Sequence, residues 1–188
     1  MARVSQAQAR QNRDRVIDEA ARLFRERGVQ GVSVADLMAA AGLTHGGFYK
    51  RFASKEALVA EATGRAFAEL RERLAELDSR HPGDRDGARR ELLDFYFSAG
   101  HRDRAGEGCP ATALGGDMAR EAPESPAREP YADGVRDFAR WLADDDEGLA
   151  AVATMAGALM LSRALAGSPL SDLVLAAGRR AVERGIAG

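Results

Sequence analysis

The densest chemistry in the chain lies in the stretch AGLTHGGFYKRFASKEALVAEA, residues 41–62. A hydroxyl (Thr44), an imidazole (His45), a phenol (Tyr49) and three cations (Lys50, Arg51, Lys55) crowd around the pair Gly46–Gly47. These groups donate hydrogen bonds and positive charge, which suits contact with an anion. A helix beginning at the glycines would add its own free N–H groups, and the missing side chains would let its backbone approach a surface closely. Elsewhere such residues are sparse. His45, His81 and His101 are scattered without metal-ligand spacing, so no metal or other cofactor is expected. There is no glycine-rich phosphate loop after a strand and no carboxylate set facing histidines, so an enzyme is not expected.

The elements that must position these groups are all helical. Residues 10–27 place Val16, Ile17, Ala20, Leu23 and Phe24 on one stripe, and Gly28 ends that helix. Ser33 and Asp36 form a capping box for a helix whose inward face is Val34, Leu37, Met38 and Ala41, and Gly42 stops it. Thr44 is expected to cap a short third helix reaching about Phe52, and Ser54 a long fourth beginning KEALVAEA. A helix, a glycine turn and a short helix form a helix-turn-helix, whose second helix enters the DNA major groove. Phe48 and Phe52, four apart, turn inward and leave Thr44, His45, Tyr49, Lys50 and Arg51 outward.

Charge agrees with a polyanion-binding N-terminal unit. The 188-residue chain carries a net −2, yet residues 1–60 are net +4 and the remainder net −6. Both lysines, Lys50 and Lys55, fall in the motif. No apolar run approaches the roughly 20 residues that cross a bilayer, and the N-terminus reads as no secretory signal, so a cytoplasmic protein without membrane contact is expected.

VSVADLMAAAGLTHGGFYKRFASKEALVAEA, residues 32–62, resembles the DNA-binding segment of the TetR family of bacterial transcriptional regulators. The likeness rests on the small-residue–Gly turn, the Phe48–Tyr49 pair, Phe52 and the run Ser54 to Leu58, and the flanking helices extend it over residues 10–78. It implies an all-α fold with a helix-turn-helix three-helix DNA-binding domain at 1–53. A long connecting helix, 54–78, would join this to a larger helical ligand-binding and dimerisation domain, 54–188. It implies base contacts from His45, Gly46 and Tyr49, with Arg51 a further candidate, and phosphate contacts from Ser33, Thr44, Lys50 and Lys55. Many members carry Ser or Thr where Gly47 stands, so a hydroxyl contact to phosphate is missing. Met38 replaces a commoner alanine as core filling. The implied partners are a double-stranded DNA operator with inverted repeats, a second copy of the chain, and an unknown small effector that releases a repressor.

Beyond residue 78 the segment DSRHPGDRDGARR breaks the chain, and helices are expected near 87–104, 108–122, 130–146, 147–166 and 169–185. LAAVATMAGALMLSRALAG is apolar on nearly all faces, which requires burial in a core or against another subunit. With SDLVLAAGRRAVERG it suits a four-helix contact between two copies. Phe95, Tyr96, Met118, Phe138, Trp141 and Met155 are the bulky candidates to line an effector pocket, alongside Tyr131 and Cys109, and they favour an apolar or aromatic ligand. Cys109, the only thiol, precedes Pro110 at a helix start, where the dipole raises nucleophilicity; redox or electrophile sensing is the alternative to a buried structural thiol.

Overall fold

The computed structural model describes residues 6–186; Arg3, counted in the N-terminal charge above, lies outside them. The described residues form helices and turns, without strands. Helix α1 (Gln6–Arg27) includes the four described residues before the expected 10–27 span and ends on Gly28, whose φ of 73° is the left-handed cap. Helix α2 (Val34–Ala40) carries both halves of the Ser33–Asp36 capping box, and Gly42 leaves it at φ 68°. The expected third helix is not α-helical. It is a 3-10 turn at His45–Gly47 that runs on as turns to Arg51, because two adjacent glycines and two aromatics hold a short helix poorly. Thr44 stands at its N-cap in extended conformation but makes no side-chain cap bond, contrary to expectation.

Ser54 accepts from the Ala57 N–H and starts α3 (Lys55–Arg80), the longest helix among the described residues. The expected helix over 87–104 is two: α4 (Arg85–Tyr96) and α5 (Ala99–Asp103). Ser98 divides them, its hydroxyl accepting the His101 N–H as the N-cap of α5. A 3-10 turn at Ala105–Glu107 leads to α6 (Pro110–Arg120), α7 (Arg128–Leu142), α8 (Asp145–Ala164) and α9 (Pro169–Gly185). No helix among the described residues is long and apolar enough to cross a membrane.

Two apolar cores share α3. The first joins Val16, Ala20 and Phe24 of α1, Leu37 and Met38 of α2, Phe48 and Phe52, and the first turns of α3 at Leu58, Val59 and Ala62. It also takes in Leu114 and Met118 of α6 and Ala127, which tie the N-terminal helices to the rest. The second gathers Phe67, Leu70 and Leu74 of α3 with Leu92, Tyr96, Phe138, Met155 and Leu159. Arg25, buried on α1, bridges to Glu69 of α3 at 2.6 Å and donates to the Ala21 carbonyl. α7 lies close on α3 because Gly134 faces the Phe67 ring, whose atoms occupy the place where a Cβ would stand. The Phe67 ring also meets Tyr131 edge-on at 5.7 Å.

Gly134→Ala therefore forces Phe67 or the α3–α7 spacing to shift. Such overpacking costs about 1–3 kcal/mol, and urea unfolding should show the midpoint falling with an unchanged slope. An unchanged midpoint would mean the helices separate freely.

Candidate nucleic-acid interface

Phe48 and Phe52 stack within the first core at 5.4 Å between ring centroids, and Arg13 covers Phe52 at 4.9 Å. With those rings anchored inward, Thr44, His45, Gly46, Tyr49 and Lys50 are exposed on the opposite side. Tyr49 is 70% exposed and touches Phe48 only edge-on, so its hydroxyl projects freely. An open groove runs between Ala9 of α1 and Thr44, Gly46, Gly47, Lys50 and Arg51.

The two glycines differ. A Cβ on Gly46 would meet nothing within 4 Å, whereas one on Gly47 would strike the Arg51 guanidinium. Arg51 does not point outward as expected. It folds back, donating from Nη1 to the Gly47 carbonyl at 2.7 Å, and its buried Nε has no partner. Gly47 thus seats Arg51, whose guanidinium lies against the backbone.

Ser33 is exposed, but its hydroxyl is engaged with Asp36 and the Asp36 N–H. Those bonds hold the Asp36 carboxyl below its ordinary range. Lys55 is half-buried and donates to the Val29 carbonyl at 2.8 Å, leaving two of its three protons for another acceptor. The same Val29 residue donates its N–H to the buried Asp117 of α6 at 3.1 Å, and Arg120 steadies that carboxylate. Asp117 was not singled out from the sequence. Its signal is an acid at i+3 from Leu114 and adjacent to Met118, on the face of α6 that packs into the first core.

A match to the family of bacterial regulatory proteins, tetR family, covers residues 16–62, the segment that builds this surface. That match, with the relatives and the fold that follow, supports a TetR-family transcriptional regulator. It is 33% identical over 93 residues to the HTH-type transcriptional regulator AcrR of Shigella flexneri, and 31% over 99 residues to the HTH-type transcriptional repressor DhaR of Mycobacterium sp. (strain GP1). These stretches cover 50% and 52% of this chain, and 43% and 47% of the relatives, less than half the length of each. The fold is similar over 97% of both chains to a TetR transcriptional regulator from Chloroflexus aurantiacus J-10-FL, with a TM-score of 0.74 and 27% identity. Members of the TetR family are DNA-binding transcriptional regulators, and the relatives carry that description.

In the helical half, the expected pocket residues are divided between the two cores and the surface. Phe138, Met155, Tyr96 and Cys109 are buried in the second core, and Met118 belongs to the first. Trp141 is half-buried at the periphery, donating to Asp78 at 2.9 Å. Phe95 is partly exposed, and its ring stacks on His101 at 4.9 Å. Tyr131 is half-buried and donates to the Ala111 carbonyl at 2.7 Å, its hydroxyl pushed up to about 12 by burial. Cys109 is the N-cap of α6, and its backbone N–H donates to His101 Nε2 at 3.0 Å.

His101 is consequently a neutral clamp. With Nε2 accepting, its Nδ1–H donates to the Tyr96 carbonyl at 2.8 Å, joining the end of α4 to the start of α6. Burial, with the charges of Arg163, Arg73 and Arg104, lowers its pKa from 6.5 to about 4. An unfolded chain takes up this proton below pH 6.5 while the folded chain resists it, so the stability is present above 6.5 and is lost as pH falls toward 4. The loss should reach about 3 kcal/mol in urea unfolding across that window, and His101→Gln should flatten the slope. Equal pH slopes in both proteins would contradict the buried neutral clamp.

Proposed function

We propose that this chain is a ligand-responsive transcriptional repressor that binds an inverted-repeat operator as a homodimer and is released by a small effector. The observation that carries the reading is the division of the 44–52 segment, with Phe48 and Phe52 buried and Thr44, His45, Gly46, Tyr49 and Lys50 exposed together. Residues 1–53 act as the DNA-reading unit and 54–188 as the regulatory half, with the first part of α3 as the lever between them. His45, Gly46 and Tyr49 reach base edges. Ser33, Thr44, Lys50 and Lys55 hold phosphates, and Arg51 stiffens the turn through Gly47.

The second copy docks on α8 and α9. Leu149, Met160, Leu161, Leu170 and Leu173 are all exposed there, an apolar face that water does not favour. Two such faces meet about a two-fold axis and set two recognition turns against successive major grooves. Sensing through Cys109 is less well supported, because the thiol is 4% exposed and an oxidant would first have to open the core.

A fragment selected from genomic DNA provides the operator for titration. Lys50→Ala should weaken all sequences alike and flatten the salt dependence by about one unit, since it removes one phosphate contact. Tyr49→Ala should instead narrow the gap between operator and random DNA. Parallel losses at every salt concentration, with the fold retained, would contradict these roles.

Sedimentation equilibrium tests the assembly. The wild-type chain should be a dimer at micromolar concentration, and the double change Met160→Glu with Leu173→Glu should yield a folded monomer that footprints poorly. A monomeric wild type would remove the two-half-site reading.

A further inference from the structure

The most distinctive unassigned feature of the regulatory half is a cleft of about 190 Å³ lined by Arg73, Phe95, Gly100, His101, Arg104 and Glu107. It lies where α3, α4, α5 and the 105–107 turn converge. Phe95 is 37% exposed in it, an aromatic ring left partly open to water beside a core that has room for four other phenylalanines and tyrosines. The Arg73 guanidinium lies 5.2 Å from the centre of that ring. Its one hydrogen bond is a long one, 3.5 Å to the Glu107 carbonyl, and it has no carboxylate partner within 4 Å among the described residues. A guanidinium offers five donors, so most of this one's capacity is unused.

Arg104 adds a second cation. It is tied by Nε to the Gly100 carbonyl at 3.2 Å and only loosely, at 3.9 Å, to the Glu107 carboxylate. That exposed pair is weak because water screens it, and a competing carboxylate displaces it readily. His101 contributes no charge, since both ring nitrogens are already bonded to backbone, and presents its face to Phe95. The wall is thus two cations and the partly exposed edge of one aromatic ring. A planar anion matches both: its carboxylate takes the two guanidinia, and its ring meets the open edge of Phe95. The volume is below the roughly 300 Å³ where drug-sized sites begin, which restricts the ligand to about one ring.

We propose that this cleft binds a small aromatic carboxylate. This is a charged ligand, where the sequence favoured an apolar one, and the site lies beside the second core instead of within it. The binding stands on the cleft alone, while its regulatory meaning rests on the repressor reading above. His101, the back of the cleft, also holds the first N–H of α6, and α6 holds the Val29 turn through Asp117. Occupancy is therefore transmitted along one helix to the DNA-facing segment.

Calorimetry of the full chain with benzoate, benzamide and inorganic phosphate tests the site. Benzoate should bind saturably, with benzamide and phosphate each at least about tenfold weaker, because one lacks the charge and the other the ring. Arg73→Met and Arg104→Met should each weaken benzoate about tenfold, and Phe95→Leu several-fold, with circular dichroism and melting unchanged. Benzoate binding no tighter than benzamide, indifference to both arginine changes, or no saturable benzoate binding would each overturn the proposal; phosphate equal to benzoate would overturn its aromatic half. Operator titration with and without benzoate is a separate reading. Benzoate binding without any DNA binding keeps the cleft and removes the repressor, and the converse result removes the cleft alone.

Discussion

The peptide around Val29 is held from both sides, and the arrangement of the N-terminal helices against the remainder depends on it. Its N–H goes to Asp117 of α6 and its carbonyl to Lys55 at the start of α3. Neither partner is interchangeable with water, because the Val29 backbone is buried and an unpaired buried donor costs about 1–3 kcal/mol. One residue thus fixes the exit from α1, the entry to α3 and the lower end of α6 relative to each other. The turn bearing Thr44 to Arg51 hangs between the first two of these.

A second polar clamp does for α4, α5 and α6 what Val29 does for α1, α3 and α6. His101 joins Tyr96 to Cys109, and Arg163 of α8 adds bonds to the His101 and Arg102 carbonyls. α6, eleven residues long, carries one clamp at each end. A short stiff rod with polar sockets at its tips transmits displacement better than an apolar sliding contact, which can repack residue by residue. The apolar neighbours, Leu114 and Met118, keep the rod seated on the first core while its ends are held.

Much of this was legible in the sequence wherever the signal is local. The Ser33–Asp36 box, the Ser54 cap and the left-handed glycines 28 and 42 each depend on residues within one turn of chain. The inward turn of Phe48 and Phe52 follows from their spacing. Long-range polar bonds were not legible, because the sequence does not say that Asp117 meets a backbone 88 residues away. The 44–52 segment has the spacing of a short helix but not its propensity, because Gly46–Gly47 carries the weakest helix propensity short of proline. Ser98 does not stand out as a cap in the sequence because apolar spacing runs on through Phe97. Bulk alone does not mark a pocket, because large side chains fill cores as readily as they line cavities.

The close seat of α7 on α3 has a consequence for how this chain tolerates change over generations. Any single-base change in a glycine codon either leaves glycine, stops translation, or adds a Cβ, and at position 134 a Cβ lands on the Phe67 ring. No one-step replacement is therefore silent there, whereas at Gly46 and Gly157 the space is open and the first added carbon meets nothing. A smaller residue at 67 or a wider α3–α7 spacing would relieve that clash, so the tolerance of position 134 is tied to its neighbour across the helix contact.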